Sequence, residues 1–163
     1  MPGNRFGVLF VCTGNICRSP TAEAIFRKLA DEAGMGQTIL ADSAGTHGYH
    51  IGEPPDPRAQ DAAAKRGYDL RGLRARRFEQ ADFQRFDLIL AMDRDHHSIL
   101  LRMARPSAAH KLKLMMSYAR RFKEEEVPDP YYGGPRGFER VLDMLEDAAQ
   151  GLLESLRLSG RGA

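Results

Sequence analysis

Tryptophan is absent and cysteine appears only twice in the 163 residues. Two thiols, Cys12 and Cys17, are too few to staple a chain of this size. A disulfide scaffold is therefore excluded, and a reducing, cytoplasmic setting is expected. No apolar stretch approaches the roughly 20 residues of a membrane span. No basic segment leads into a long apolar one after Met1, so neither membrane insertion nor a signal peptide is expected. Charge of one sign is also lacking. Lys and Arg number 24 against 22 Asp and Glu, and a net charge of +2 does not argue for nucleic acid. Internal repeats, low-complexity tracts and linkers are missing as well, so residues 1–163 are expected to form one domain with a real core.

What is present is an alternation of strand-like and helix-like segments. Arg5–Val11 is β-rich and largely apolar, as a strand buried on both faces should be. Ser19 and Pro20 read as an N-cap and first-turn proline opening a helix to about Asp31, closed by Gly34 and Gly36. Thr38–Ser43 reads as a second strand, followed by a Gly/His/Pro-rich loop over Gly45–Pro57. Helical segments are expected over Arg58–Arg66, Glu79–Arg85 and Asp93–Ala104, with strands at Phe86–Met92 and Lys111–Met115. Phe138, Val141, Leu142, Leu145, Leu152 and Leu156 mark a long amphipathic helix at the end. Such an order predicts an α/β fold with a parallel sheet covered on both faces, its ligand held at the carboxyl ends of the strands.

The loop after the first strand carries chemistry. Cys12 and Arg18 are separated by five residues, Thr13-Gly14-Asn15-Ile16-Cys17, between the strand and the helix. A phosphate ester resists anionic nucleophiles, so a catalyst must supply positive charge and aligned donors. Successive backbone N–H groups from Thr13 to Arg18 can curl into an anion-binding nest, and the helix adds its positive end. Gly14 and Asn15 tolerate the unusual φ such a loop needs. Arg18 can grip two phosphate oxygens as a fork, which lysine cannot. An isolated cysteine is most often a packed thiol. In this field Cys12 is instead favoured as a thiolate nucleophile, with Ser19 placed to donate a hydrogen bond to it. The leaving oxygen needs a proton donor, and Asp129, stiffened between Pro128 and Pro130, is a candidate.

The segment Val8–Thr21, reading VLFVCTGNICRSPT, resembles the active-site segment of the low-molecular-weight protein tyrosine phosphatases. Asp42-Ser43-Ala44-Gly45-Thr46, Pro55-Asp56-Pro57-Arg58-Ala59, Asp82-Phe83, Phe86-Asp87, Met92-Asp93 and Asp129-Pro130-Tyr131-Tyr132 are similar to the same family, in order, over nearly the whole chain. The resemblance implies a four-stranded parallel sheet in the flavodoxin-like order 2-1-3-4. It implies phosphotyrosine hydrolysis through a cysteinyl-phosphate intermediate, with no metal or organic cofactor. By that resemblance Cys12 is the nucleophile, Arg18 stabilises the transition state and Asp129 donates the proton. Asn15, Ser19 and Ser43 match the network that holds the loop. Ile16, Tyr49, Tyr131 and Tyr132 match the walls around the substrate ring. Cys17 matches the residue that traps oxidised Cys12 as a disulfide in several relatives. Phosphotyrosine proteins or peptides are the implied partners, inorganic phosphate the product and inhibitor, and a monomer or weak dimer the implied state. Export without a signal peptide, seen in some bacterial relatives, stays open beside the cytoplasmic reading.

Three positions depart from the family pattern. Tyr49 stands where animal relatives often carry Trp, which bears on leaving-group preference. Leu73 stands where relatives often have a His supporting the loop asparagine, and His96 where they often have Asn. The rival activities of the same fold fit less well. Arsenate reduction needs further cysteines downstream, and none follows Cys17. Protein arginine phosphatases tend to carry Thr in place of Ile16. A non-catalytic phosphopeptide-binding module would not need Cys12, Arg18 and Asp129 together. Arg66, Arg71, Arg74, Arg76 and Arg77 crowd one stretch, for which a solvated face is the plainer expectation than an anion-attracting surface. His47 and His50, with no Cys or acidic cluster beside them, read as solvated side chains rather than metal ligands.

Overall fold

The structure is a computed structural model that describes residues 5–131 and 134–160. Strand β1 (Phe6–Cys12) is followed by helix α1 (Arg18–Glu32), β2 (Ile39–Gly45), α2 (Pro57–Ala64), the short α3 (Asp82–Arg85) and β3 (Leu88–Ala91). Helix α4 (Arg94–Met103), β4 (Leu112–Leu114) and the long α5 (Pro135–Leu158) complete it. The four strands form one parallel sheet in the order β2-β1-β3-β4, as the resemblance implies.

Strand β1 lies between two partners, so its side chains alternate between two buried faces. Val8, Phe10 and Cys12 point into a core shared with Ile25 and Phe26 of α1 and with Leu142, Leu145 and Leu152 of α5. Leu9 and Val11 point into a second core with Phe83, Ile89 and Leu100. Two layers of helix therefore cover one sheet, which accounts for the near-continuous apolar run of β1. Helix α5 is tied to the preceding turn by Asp147, which accepts the backbone N–H groups of Arg120, Arg121 and Phe122. It passes so close that a Cβ added at Gly151 would stand 1.9 Å from the Tyr118 carbonyl oxygen.

The chain leaves β1 toward β2 on one side and later returns to β3 on the other. Loops after β1 and β3 thus diverge and leave a crevice at the carboxyl edge, where ligands of such folds bind. The loop after β1 runs Thr13–Cys17, and Asp93 follows β3 after the single residue Met92.

One expectation about local structure is corrected. Ser19 is not the N-cap of α1. The helix begins at Arg18, the capping position is Cys17, and no side chain caps it. The Ser19 hydroxyl is committed instead to the Cys12 thiol and to Asn15. The true capping aspartates are Asp56, which accepts from the Arg58 N–H, and Asp93, which accepts from the His96 N–H.

Candidate active site

Cys12 ends β1 with its side chain buried, and its sulfur faces the first turn of α1. The Ser19 N–H donates to Cys12 Sγ at 3.4 Å, and Ser19 Oγ lies 2.9 Å from the same sulfur. The loop between them is held open by Asn15, which adopts φ 59°, the one non-glycine positive φ among the described residues. Its amide orientation follows from its partners. The Arg76 N–H donates to Oδ1 at 3.0 Å, so the amide nitrogen faces the hydroxyls of Ser19 and Ser43, at 2.8 and 3.0 Å. Ser19 Oγ accepts from Asn15, and its own proton has the nearby sulfur at 2.9 Å and the more distant Ala44 carbonyl at 3.5 Å as acceptors. Ser43 in turn donates to the buried Glu23 at 2.7 Å. Burial pushes the Glu23 carboxyl up, against the pull of Ser43 and Arg27. Leu73, which cannot play the part of a histidine, is not needed: the Arg76 backbone supplies the donor to Asn15.

Gly45 is required where β2 passes the loop. A Cβ there would meet the Thr13 carbonyl oxygen at 2.7 Å and the Asn15 nitrogen at 3.2 Å. The Thr46 and His47 N–H groups donate to the carbonyls of Cys12 and Thr13, which turns the loop's acceptors outward. Its donors are left over. Among the described residues no acceptor takes the backbone N–H groups of Gly14, Asn15, Ile16, Cys17 or Arg18. Five consecutive unspent donors around a buried thiol form a nest for an anion.

Arg18 is 3% exposed and fully bonded on one side. Its Nη1 donates to Asp93 Oδ2 at 2.9 Å and to the Val127 carbonyl at 3.0 Å. Its Nη2 reaches Thr13 Oγ1 at 3.5 Å and stands 3.7 Å from Asp129 Oδ2. Thr13 Oγ1 also meets His96 Nε2 at 2.8 Å, and His96 Nδ1 stands 3.0 Å from Asp93 Oδ1, a close contact rather than an aligned hydrogen bond. Asp93, Arg18, Thr13 and His96 thus close a ring that aims the guanidinium. Burial alone would raise the Asp93 carboxyl, but bonds from His96 and Arg18 outweigh it and hold the carboxyl far below its usual range.

Above the sulfur lies a cavity of about 200 Å³. Ile16, Tyr49 and Tyr131 form apolar walls, and Asp129, its side chain 43% exposed, faces the opening. The Tyr131 N–H donates to Asp129 Oδ1 at 3.0 Å, which fixes the carboxylate over the pocket. Arg58 stabilises that wall: it forks onto Asp56 and lies over the rings of Tyr131 and Phe138, 5.2 and 5.0 Å from their centroids. Cys17 lines the same cavity. Burial, then the nearby Asp56 carboxylate, pushes its thiol well above the ordinary cysteine range.

The structure therefore brings together Cys12, Thr13, Gly14, Asn15, Ile16, Cys17, Arg18, Ser19, Ser43, Tyr49, Asp129 and Tyr131. Tyr132 falls outside the described residues. The histidines differ from the solvated side chains expected of them. His50 lines the cavity against Gly14, and His47 stacks on Tyr49 with ring centroids 5.0 Å apart. Asp93, His96 and the Val127 carbonyl were not assigned roles from the sequence. The signal for Asp93 was its place directly after a buried strand and three residues before His96, an N-cap pattern at the ligand-binding edge.

The profile of the low molecular weight phosphotyrosine protein phosphatase family matches residues 7–161. A putative low molecular weight protein-tyrosine-phosphatase of Synechocystis is 53% identical over 150 residues, 91% of this chain and 95% of the relative. The human low molecular weight phosphotyrosine protein phosphatase is 40% identical over 149 residues, 90% of this chain and 93% of its own. Among solved structures, a protein tyrosine phosphatase from Entamoeba histolytica superposes with a TM-score of 0.92 at 41% identity, covering 95% of this chain and 99% of that one.

Proposed function

The chain belongs to the low molecular weight phosphotyrosine protein phosphatase family and is a protein-tyrosine-phosphatase acting through a cysteinyl-phosphate intermediate, and we propose that Cys12, Arg18 and Asp129 carry out its chemistry. The observation that supports this assignment most is the row of unspent N–H groups from Gly14 to Arg18 around the Cys12 sulfur.

The phosphoryl group of phosphotyrosine sits in the nest, and the aryl ring lies between Tyr49 and Tyr131. The Cys12 thiolate, steadied by the Ser19 hydroxyl and N–H, attacks phosphorus opposite the ester oxygen. The S–P bond forms as the P–O bond to tyrosine breaks, and Asp129 gives its proton to the departing phenolate oxygen. Arg18 spans two equatorial oxygens, where charge accumulates, with Asp93 and Val127 fixing its plane. A water then attacks phosphorus, the Asp129 carboxylate takes its proton, and the S–P bond breaks to release phosphate and the thiolate. Asp129 Oδ2 lies 3.7 Å from Arg18 Nη2, so the acid and the guanidinium face the same phosphoryl site.

Cys17 serves as a redox partner. Peroxide oxidises the Cys12 thiolate to a sulfenic acid; the Cys17 thiol then displaces water to give a Cys12–Cys17 disulfide that a thiol reductant opens. Both cysteines are free, buried and on one cavity, which suits this reading and a reducing cytoplasm. No helix among the described residues is long and apolar enough to cross a membrane. The enzyme works on phosphotyrosine proteins as a monomer or weak dimer, inhibited by the inorganic phosphate it makes.

A substrate panel tests the assignment. Phosphotyrosine peptide and p-nitrophenyl phosphate should be hydrolysed equally with and without EDTA, phosphoserine, phosphoarginine and arsenate should be poor, and Cys12→Ser should abolish turnover. Turnover persisting in Cys12→Ser would overturn it.

A further inference from the structure

The five arginines crowded into residues 66–77 do not share one fate. Arg66 reaches Glu139, Asp143 and Glu146 on α5, Arg71 forks onto Asp69, and Arg76 holds Asp42 and Asp82. Arg74 and Arg77 are exposed and have no carboxylate partner among the described residues. The Arg74 guanidinium folds back on the carbonyls of Arg71 and Leu73.

Arg77 lies beside the loop that carries Tyr49 and His50 of the pocket, and Arg74 precedes Ala75, whose backbone pairs with the same loop. Arg77 pairs with Gly45 as an isolated bridge, the Gly52 N–H donates to the Ala75 carbonyl, and the Ala75 N–H donates to the Glu53 carbonyl. A Cβ added at Gly48 would lie 2.9 Å from Ile51 Cδ1 and 3.6 Å from Arg77 Cδ, so the Arg77 stem and the Ile51 side chain converge there. In the same loop Tyr49 lines the pocket, stacked on His47, whose Nδ1 is 2.8 Å from Thr46 Oγ1. Tyr49 and Ile51 are 68% and 62% exposed, among the few large apolar side chains left uncovered on the described surface. The loop's carboxylate, Glu53, lies 3.2 Å from His50 and leaves Arg77 uncompensated.

A cavity of about 200 Å³ takes the phosphoryl group and its ring but not the polypeptide that carries them. That polypeptide must cross the rim. We propose that Tyr49, Ile51, Arg74 and Arg77 form a docking surface for phosphotyrosine segments of proteins that carry aspartate or glutamate, together with an apolar side chain, next to the phosphotyrosine. The proposal rests on the phosphotyrosine-phosphatase reading and adds the substrate class. The apolar side chain covers Tyr49 and Ile51, and the carboxylate meets the unpaired guanidiniums. Steering by two exposed charges acts mainly on encounter and fades with salt.

The experiment compares kcat/KM for phosphotyrosine peptides differing only in flanking Glu, Ala or Lys, placed before or after the phosphotyrosine, with p-nitrophenyl phosphate as a rim-independent control. The wild type should prefer the Glu peptide over the Lys peptide by about three- to tenfold at low ionic strength, the scale of one or two exposed ion pairs, and less at high salt. Arg77→Glu with Arg74→Glu should reverse the order while leaving p-nitrophenyl phosphate turnover unchanged. Ile51→Ala should erase the gain from an apolar neighbour. Indifference of the wild type to flanking charge, or a preference that survives charge reversal, overturns the proposal. So does a dimer in sedimentation that Arg77→Glu dissolves, which would assign the rim to a second copy of the chain. An enzyme inactive on p-nitrophenyl phosphate as well would instead count against the catalytic reading.

Discussion

Replacing Asn15 by alanine and, separately, by glycine separates the two jobs this residue performs. In both variants three hydrogen bonds disappear, to Ser19, Ser43 and the Arg76 N–H, all in a site where Asn15 is 2% exposed. At about 1 kcal/mol net for each, the common loss is about 3 kcal/mol. Alanine must also hold φ 59°, which costs an ordinary L-residue about 1 kcal/mol more, whereas glycine adopts it freely. Asn15→Ala should therefore lose about 4 kcal/mol and Asn15→Gly about 3, below the 5–15 typical of whole domains, so both remain folded in the cold. In thermal unfolding that is a drop of about 8–16 °C for alanine, with glycine a few degrees better. Neither variant keeps the Ser19 proton aimed at the Cys12 sulfur or the loop donors fixed, so kcat on p-nitrophenyl phosphate should fall about ten- to hundredfold. Inorganic phosphate should raise the wild-type unfolding temperature by binding the folded state, and should do so much less in either variant. Identical stability of the two variants would refute the strained-loop part of the reasoning. Unchanged kcat in both would refute the claim that Asn15 organises the site.

Asp129→Asn should lower kcat about a hundred- to a thousandfold for phosphotyrosine and less for p-nitrophenyl phosphate, a better leaving group, while inhibition by inorganic phosphate stays near wild type. An equal loss for both substrates would deny its role as the acid. Asp93, whose folded carboxyl sits far below the 3.8 of a free aspartate, contributes stability that is full above pH 3.8 and is lost as pH falls toward the folded value. Urea midpoints should show Asp93→Asn well below wild type at pH 7, with the gap narrowing by pH 3; a constant gap would contradict the linkage. Gly151→Ala, meeting the Tyr118 carbonyl, should cost about 1–3 kcal/mol in stability yet leave kcat intact at low temperature, and a neutral effect would contradict the close α5 contact.

Strand β1 and the loop after it were legible because apolar continuity, Gly14, Asn15 and the Cys12–Arg18 spacing all report local conformation. Helix α5 was legible for the same reason, through its period. What the sequence hid was the choice among alternative partners. Ser19 before Pro20 has the pattern of an N-cap, yet the sulfur and Asn15 compete for its hydroxyl and win, and the helix starts two residues earlier with Cys17 at its cap. The arginine cluster looked uniform, but only folding reveals which cations meet Glu139, Asp69 or Asp82 and which are left over. Asp93 and His96 lie far from Arg18 in sequence, and only the β1–β3 pairing places them beside it. Gly45 looked like a loop residue; its requirement comes from the passing Thr13 carbonyl.

The central claim is that the Cys12 sulfur itself carries the phosphoryl group. Acid quenching within the first turnovers on phosphotyrosine peptide, followed by mass spectrometry of the peptide spanning β1 and α1, tests it most directly. Phosphate is expected on Cys12 in the wild type, in Asp129→Asn when p-nitrophenyl phosphate, whose leaving group needs little help from the acid, loads the sulfur, and nowhere in Cys12→Ser. A fully active wild type with no phosphoenzyme in either form, or phosphate on another residue, would contradict it.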